Sequence, residues 1–321
     1  MRVLITGAFG NLGTMCIEKA LSLGFELVCL DLDTPQNRKT AATFEPDPAI
    51  QAHFCDITNT ESIKPLLKNI DAIIHNASIL PPLSETNPLL SHRVNVEGTL
   101  ALASAAANIN TKIRFIFPSS VTVFGNPACT SNIKSCSDPI MASDEYTNHK
   151  VLCEEGLAGI DLDWTVLRVG VSVDSRTTAT DLSTLKKLLA VKPENPMEWV
   201  HPKDVATAMC HAIQSPAASQ KILLLGGGNS CQVTHHQFLN TALNACGLNL
   251  PPHLMGTNDY YTHWMDTKET EAILKFQNHT FNDYQTEMKQ AMKWVRRLLT
   301  PIRPLANWGL AQFIQRLQRQ A

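Results

Sequence analysis

The sequence has few of the features that mark metal-binding, membrane-spanning or nucleic-acid-binding proteins. Its nine cysteines are scattered and none form a C-x-x-C pair, which predicts reduced thiols, no disulfide framework and no metal site. No apolar run approaches the roughly 20 residues of a membrane span. A net charge of −2 argues against a general nucleic-acid binder. The N-terminus lacks a signal-peptide cleavage site and is interpreted as mature protein, so we expect a cytoplasmic chain.

Short apolar runs alternate with longer amphipathic segments over the first two-thirds of the chain. The predicted strands are Arg2–Thr6, Glu26–Asp31, Ala49–Asp56, Asp71–Asn76, Lys112–Phe117, Trp164–Val169 and Lys221–Leu225. The predicted helices are Asn11–Leu23, Thr60–Lys68, Pro88–Asn108, Ser143–Leu157 and Lys203–Gln214. This alternation predicts an α/β fold with a Rossmann-like, doubly wound parallel sheet.

The alternation is interrupted twice, which suggests three parts. Residues 1–170 and 199–228 are predicted to form the sheet domain. Residues 171–198 and 229–286 are predicted to form a smaller, mostly helical substrate lobe, and 287–321 a basic amphipathic tail. A lobe over the carboxyl edge of the sheet would create a cleft where open α/β sheets bind ligands.

The first strand leads into T-G-A-F-G-N-L-G, with glycines at 7, 10 and 13. Between a strand and a helix, this spacing is typical of a turn that binds the pyrophosphate of a dinucleotide. Asp31 ends the second strand, where a carboxylate binds the ribose hydroxyls of NAD and repels the 2′-phosphate of NADP. Arg38 and Lys39 follow closely and keep NADP as the alternative.

The stretch D-E-Y-T-N-H-K places Tyr146 and Lys150 four positions apart, on one face of a helix. A lysine ammonium near a phenol favours the phenolate, so Lys150 is predicted to lower the pKa of Tyr146. A tyrosine tuned in this way can exchange a proton with a hydroxyl or carbonyl near neutral pH. The alternative interpretation is a pair of solvated neighbours on a helix surface.

These two motifs resemble those of the extended short-chain dehydrogenase/reductase family, which includes NAD-dependent epimerases and dehydratases. Four further segments follow in the family's order and are similar to its motifs. They are C-D-I-T from 55 to 58, H-N-A-S from 75 to 78, F-P-S-S-V-T-V-F-G from 117 to 125 and W-V-H-P-K-D-V-A from 199 to 206. The segment V-N-V-E-G-T contains Asn95, which in the family supports the site architecture.

The resemblance implies a site built from three kinds of residue. The implied catalytic residues are Ser120, Tyr146 and Lys150. The implied cofactor-binding residues are Gly7, Phe9, Gly10, Asn11, Leu12, Gly13, Asp31, Asp56, Ile57, Asn76, Ala77, Ser78, Asn95, Tyr146, Lys150, Val169 and Val171. The predicted substrate-binding residues are Leu80, Ser120, Thr122 and Arg168. Leu80 lies in the loop I-L-P-P-L-S-E, for which a rigid proline turn is the alternative interpretation.

The resemblance implies an NAD(P)-dependent oxidoreductase acting at a hydroxyl or carbonyl carbon of a small or sugar-like substrate. One alternative is an NAD-retaining nucleotide-sugar epimerase or dehydratase, and another is a non-catalytic NAD-sensing protein. The predicted lobe has few basic residues for a diphosphate, which favours a smaller or less charged substrate. Family members often dimerise through two helices, so a homodimer is expected, through Pro88–Asn108 and Ser143–Leu157.

The tail from 287 to 321 carries seven Lys or Arg and one acidic residue, while the rest of the chain has a net charge of −8. Apolar residues interleave with these cations, and Pro301 and Pro304 divide the segment into two amphipathic pieces. One interpretation is a helix on an anionic membrane surface. The other, which we favour here, is a tail packed on its own domain or on a dimer partner.

Overall fold

A computed structural model describes residues 1–125, 133–176 and 182–319, so Cys129 and residues 177–181 of the predicted lobe lie outside the described residues. The strands are β1 Arg2–Thr6, β2 Glu26–Asp31, β3 Ile50–Phe54, β4 Ala72–His75, β5 Arg114–Ser120, β6 Ile133–Lys134, β7 Asp163–Val169, β8 Pro196–Glu198, β9 Lys221–Leu225, β10 Gln232–Thr234 and β11 Trp264–Met265. Seven of them form a parallel sheet in the order β3-β2-β1-β4-β5-β7-β9. The predicted Rossmann-like, doubly wound sheet is therefore present.

Helices flank the sheet and continue beyond its last strand. They are α1 Asn11–Ser22, α2 Pro35–Ala42, α3 Thr60–Ile63, α4 Leu83–Thr86, α5 Pro88–His92, α6 Thr99–Ile109, α7 Glu145–Ala158, α8 Leu182–Leu189, α9 Pro202–Gln214, α10 His235–Ala245, α11 Lys268–Leu274, α12 Phe281–Ala291, α13 Lys293–Leu299 and α14 Arg303–Arg319. Among the described residues, none of these helices combines the length and apolar composition needed to cross a bilayer.

The sheet is covered on both faces, which explains why its strands are continuously apolar. One core contains Ile17 of α1 and Met209 of α9, and the other contains Leu102 of α6 and Leu157 of α7. Because strands in such a sheet are buried on both sides, the apolar runs in the sequence were a sufficient signal for their positions. Three of the seven predicted strands have the observed bounds, and the other four differ by one to three residues at their ends.

The helical predictions need three corrections. The segment predicted as one helix from Thr60 to Lys68 is α-helical only over Thr60–Ile63 and continues as a 3₁₀ turn, Lys64–Leu67. The segment predicted as one helix from Pro88 to Asn108 is divided by a π-helical turn, Arg93–Gly98, between α5 and α6. Helix α2 was not predicted, because Ala41 is its one buried residue and its sequence has no apolar periodicity. Its signals are local: the Thr34 side chain caps the Asn37 N–H, and Pro35 occupies the first helical turn.

Two short strand pairs lie outside the main sheet. Strand β8 pairs with β10 in antiparallel fashion, and β6 pairs with β11 in parallel fashion. The β8–β10 pair joins the segment before residue 199 to the segment after residue 229, the two pieces of the predicted lobe. Further along the chain, Ile314 and Leu317 of α14 pack with Leu189 of α8 and with Leu250 and Leu254.

Candidate active site

A cavity of about 600 Å³ lies at the carboxyl ends of β1, β2, β4, β5 and β7. This is the edge at which open α/β sheets bind ligands. The predicted residues that line it are Gly7, Gly10, Asn11, Leu12, Gly13, Asp31, Asp56, Ile57, Asn76, Ala77, Ser78, Leu80, Ser120, Tyr146, Lys150 and Val169. Residues far apart in the sequence therefore meet in one cavity.

The glycine-rich turn connects β1 to α1 through backbone that larger residues cannot adopt. Gly7 has φ of +61°, and a Cβ there would lie 2.8 Å from the Ala77 backbone nitrogen. A Cβ on Gly13 would lie 2.1 Å from the Gly7 carbonyl oxygen, so the helix could not pack against the turn. A Cβ on Gly10 would meet no atom closer than 3.4 Å, which leaves its cavity side free for a ligand.

We predict that Gly13→Ala weakens NAD binding at least about tenfold and lowers the free energy of unfolding by about 2 kcal/mol, because the added methyl group overlaps backbone atoms. Isothermal titration with NAD and urea unfolding measure the two effects. Gly309→Ala in α14 is the matched control, since nothing lies within 4 Å of its Cβ position. The control should bind NAD normally and gain about 0.5–1 kcal/mol of stability. Equal NAD affinity in Gly13→Ala and wild type would contradict this account of the turn.

Asp31 is held at the end of β2 by three donors. Its carboxylate accepts hydrogen bonds from the Phe9 N–H at 2.9 Å, the Leu32 N–H at 2.8 Å and Asn37 Nδ2 at 3.0 Å. Asp31 thus connects the glycine-rich turn to α2 while facing the cavity.

Arg38 and Lys39, the two basic residues that left NADP as the alternative cofactor, do not line the cavity. Arg38 makes two hydrogen bonds to the Asp33 carboxylate, at 2.6 and 2.8 Å, and its guanidinium stacks 4.6 Å from the Phe54 ring centroid. Lys39 is exposed and does not line the cavity. Their positions favour NAD, because a phosphate would have to compete with Asp33 for Arg38.

The end of β4 forms another part of the cavity wall. The His75 ring bridges the hydroxyls of Thr6 and Thr99 at 2.8 Å each, and burial lowers its pKa to about 3, so it is neutral. Next to it, Asn76 lines the cavity, and its buried Oδ1 has no hydrogen-bond partner among the described residues. A buried acceptor without a partner is rare.

Tyr146, Lys150 and Ser120 come from two elements, α7 and β5. The Lys150 ammonium donates to the Pro118 carbonyl at 2.7 Å and lies 5.5 Å from the centroid of the Tyr146 ring. Ser120 Oγ accepts from Thr122 Oγ1 at 2.9 Å and from the Thr122 N–H at 3.2 Å. Because Oγ is the acceptor in both bonds, the hydroxyl proton of Ser120 remains available to a ligand.

The electrostatics of this group differ from the sequence prediction. Burial raises the pKa of Tyr146, and the Asp144 carboxylate adds to the increase. Burial also lowers the pKa of Lys150 to about 8. The prediction that the pKa of Tyr146 lies below its ordinary value is therefore wrong for this structure, because burial and the Asp144 carboxylate both raise it.

Two side chains outside the cavity position the groups inside it. The Glu85 carboxylate accepts the backbone N–H groups of Glu145 and Tyr146 at 3.1 and 3.2 Å, which caps the first turn of α7. Asn95 donates to the Ile79 carbonyl at 2.9 Å and accepts the Ile79 N–H at 2.7 Å. Asn95 thus holds the loop before Leu80 and does not itself line the cavity.

Four other predicted residues also lie outside the cavity wall. Phe9 is buried against Phe54, Thr122 lies behind Ser120, and Val171 pairs with Trp199. Arg168 is buried in an ion pair with Glu154, with Nη2 2.7 Å from Oε2. Successive side chains of a strand point to opposite faces, so with Val169 lining the cavity, Arg168 points away from it. The structure does not support Arg168 as a substrate ligand.

Several lining residues were not predicted. They are Thr6, Leu30, Leu32, Asn37, Cys55, Leu90, Val94, Pro118, Ser119, Ser172 and Pro202. Most continue a predicted motif by one or two residues, so wider motif boundaries would have included them. Asn37 had no such signal, because it belongs to the unpredicted helix α2.

Comparison with known proteins gives one family. The model of the NAD dependent epimerase/dehydratase family matches residues 3–170, just over half of the chain. The UDP-glucose 4-epimerase of Klebsiella pneumoniae is 36% identical over 132 residues, which are 39% of this chain and 94% of that sequence. The UDP-glucose 4-epimerase of Lactobacillus helveticus is 28% identical over 176 residues, 52% of this chain. The chain spans 51% of that enzyme's length.

Solved structures show the same fold over almost the whole chain. The crystal structure of the dTDP-glucose 4,6-dehydratase DesIV from Streptomyces venezuelae, with NAD bound, aligns with a TM-score of 0.76 at 20% identity. The alignment covers 94% of this chain and 98% of DesIV. This likeness concerns the fold, while the family match rests on the sequence itself. The resemblance predicted from the motifs is confirmed: the chain belongs to the NAD-dependent epimerase/dehydratase family.

Proposed function

We propose that the protein is an NAD-dependent enzyme that transfers hydride at a hydroxyl or carbonyl carbon of a small or sugar-like substrate. One observation carries this proposal: the glycine-rich turn, Asp31 and the Ser120–Tyr146–Lys150 group share a cavity of about 600 Å³. A cavity of this size is within the range of sites that enclose a small ligand.

The chemistry of the cavity wall fits a dinucleotide. The N-terminus of α1 begins at the turn and favours the negative charge of a pyrophosphate. Asp31 offers carboxylate oxygens where ribose hydroxyls would bind. Asp56 and Ile57 line the same wall, where the resemblance assigns the adenine.

When bound, NAD supplies a nicotinamide ring that accepts or donates the hydride. In the reduction direction, Tyr146 would donate its phenolic proton to the substrate oxygen, which its raised pKa permits at neutral pH. Ser120 would donate a hydrogen bond to the same oxygen. In the oxidation direction, Lys150 would stabilise the Tyr146 phenolate by its positive charge, from its anchor on the Pro118 carbonyl.

An NAD-retaining nucleotide-sugar epimerase or dehydratase is the second candidate, and the names of the relatives favour it. The described cavity wall favours a substrate without a diphosphate, since Lys150 is its one cation. Arg168 is paired with Glu154, and Arg176 is paired with the buried carboxylate of Asp174. We therefore propose the smaller substrate, and tight, saturable binding of a UDP- or GDP-sugar would contradict that choice.

The decisive experiment identifies the nucleotide that the purified protein releases on denaturation. Stoichiometric NAD would support a retained cofactor and the epimerase or dehydratase candidate. An empty protein that binds NAD reversibly would support a dehydrogenase that exchanges cofactor at each turnover. Hydride transfer is then measured by nicotinamide absorbance with a panel of small hydroxy acids, UDP-glucose and dTDP-glucose. NAD binding with no hydride transfer to any substrate would favour the non-catalytic NAD-sensing protein.

We predict that Asp31→Asn weakens NAD binding about tenfold, because a charged acceptor facing the ribose is lost. The same change removes repulsion of a 2′-phosphate, so the ratio of NADP to NAD affinity should rise further. Using the ratio cancels any loosening of the turn, which affects both nucleotides equally. Glu26→Gln, at the exposed other end of β2, is the control with the same charge change. An unchanged ratio in Asp31→Asn would remove Asp31 from cofactor selection.

The proposal includes a cytoplasmic homodimer. All described cysteines are free thiols, in keeping with a reducing compartment. Leu89 on α5 is 86% exposed, which supports a contact through this region. Sedimentation equilibrium of the wild type and of Leu89→Glu tests the dimer, which should dissociate in the variant.

A further inference from the structure

A row of large apolar side chains lies exposed on the helical tail. Trp294, Leu298, Ile302, Leu305 and Trp308 expose 72, 74, 50, 64 and 63% of their surface, respectively. They follow each other at intervals of four, four, three and three residues. Because α13, a short 3₁₀ turn at 300–302 and α14 are consecutive, this spacing places the five on one side of the tail. We call these five residues the tail face.

The tail face is not the side by which the tail attaches to the protein. Leu310, Ile314 and Leu317 of α14 pack into a cluster with Leu189 and Leu254. Helix α13 has no buried residue. The interpretation of a tail packed on its own domain therefore holds for the inner side of α14 and leaves the tail face unexplained.

The cations beside the tail face have no acidic counterpart in the tail. Residues 288–321 contain seven Lys or Arg and no Asp or Glu. Among the described residues, no ion pair includes Lys293, Arg296, Arg297 or Arg303. Arg297 lies over the Trp294 ring, 5.1 Å from its centroid. The basic charge is therefore available to an anionic ligand next to the exposed apolar row.

We propose that the tail face binds the surface of an anionic lipid bilayer, with the helices lying in the plane of the interface. Exposed tryptophans are favoured at the headgroup level, and an apolar row flanked by Lys and Arg is typical of interfacial helices. Each Lys or Arg near an anionic surface adds attraction. This inference is independent of the proposed enzymatic function.

Charge argues against a second copy of the chain as the occupant. A twofold-symmetric contact brings the same surface of each chain together. Here it would place Arg297 and Arg303 near their own equivalents, with no acidic residue in either tail segment from 288 onward to neutralise them. A bilayer that contains acidic lipid supplies the missing negative charge over the whole face.

The test is sedimentation of the full chain with vesicles, either phosphatidylcholine alone or with about one-third phosphatidylserine. We expect binding to the anionic vesicles, weaker binding at higher salt, and little binding to phosphatidylcholine alone. Leu298→Gln/Leu305→Gln should reduce the partition coefficient at least about tenfold. Arg297→Gln/Arg303→Gln should reduce it about thirtyfold. Point variants are preferable to deletion, because α14 also packs on the protein.

Ile140→Gln/Leu182→Gln is the matched control, since it changes two exposed apolar residues outside the tail and outside the proposed dimer contact. The control should bind anionic vesicles as the wild type does, and the melting temperature of each variant verifies folding. The proposal is overturned if the wild type does not bind anionic vesicles. It is equally overturned if Leu298→Gln/Leu305→Gln binds these vesicles as strongly as the control does. It is also overturned if Leu298→Gln/Leu305→Gln converts a dimer to a monomer in sedimentation equilibrium, because the tail face then binds a second copy of the chain.

Discussion

Replacing Lys150 with methionine is expected to stabilise the folded protein at pH 7 by about 2 kcal/mol while lowering turnover about a thousandfold. Lys150 is 5% exposed, and burial lowers its pKa from 10.5 to about 8. The fold therefore carries the cost of a desolvated ammonium, which methionine does not have. Loss of the hydrogen bond to the Pro118 carbonyl offsets part of the gain. Turnover falls because no cation remains to stabilise the Tyr146 phenolate.

The pH dependence identifies the cause of the stabilisation. Between pH 8 and 10.5 the unfolded chain binds more protons at Lys150 than the folded protein does, so this residue makes wild-type stability rise with pH. Below pH 8 both states are charged and the full cost is present. The difference in free energy of unfolding between Lys150→Met and the wild type, measured in urea, should therefore be largest at pH 7 and shrink towards pH 10.

Tyr146→Phe is the control for Lys150→Met. It should lose turnover to a similar degree, because the proton donor is missing. Its stability relative to wild type should not vary between pH 7 and 9, because the raised pKa of Tyr146 keeps the phenol protonated there. If Lys150→Met gains the same free energy of unfolding over the wild type at pH 7 and at pH 10, burial of a charge is not the cause of the stabilisation.

The second large effect is expected for Arg168→Met, which should lower the free energy of unfolding by about 3–5 kcal/mol. Glu154 is 4% exposed and Arg168 is 2% exposed, so the variant leaves a buried carboxylate without its cation. Ser119 donates to the same carboxylate at 2.5 Å, but a hydroxyl does not neutralise it. Urea unfolding measures the loss.

Two further variants distinguish a buried pair from a substrate ligand. Arg168→Met/Glu154→Gln removes both charges and should recover at least half of the lost stability. Arg38→Met breaks the exposed pair with Asp33, whose two side chains are 59% and 56% exposed, and should leave the free energy of unfolding almost unchanged. If Arg168→Met is as stable as the wild type and has a raised KM, Arg168 binds the substrate and the buried-pair interpretation is wrong.

The sheet and most of the cavity wall could be predicted because their signals are local. A parallel sheet buried on both faces produces apolar runs, and its strands end at one edge. Motifs that follow these runs, such as the glycine-rich turn and Asp31, are therefore brought together without further information. Gly13 could be predicted for the same reason, since its role depends on backbone only a few residues away.

The remainder was decided by contacts between distant parts of the chain. Arg168 points away from the cavity because strand β7 places Val169 on the cavity side and α7 supplies Glu154 as its partner. The pKa of Tyr146 depends on how deeply α7 is packed, and no sequence spacing reports desolvation. In the tail, the sequence by itself determined the amphipathic pattern and the excess of cations. The tertiary structure decided which apolar residues are exposed, because packing of Ile314 and Leu317 on the protein uses one side of α14 and leaves the other to solvent.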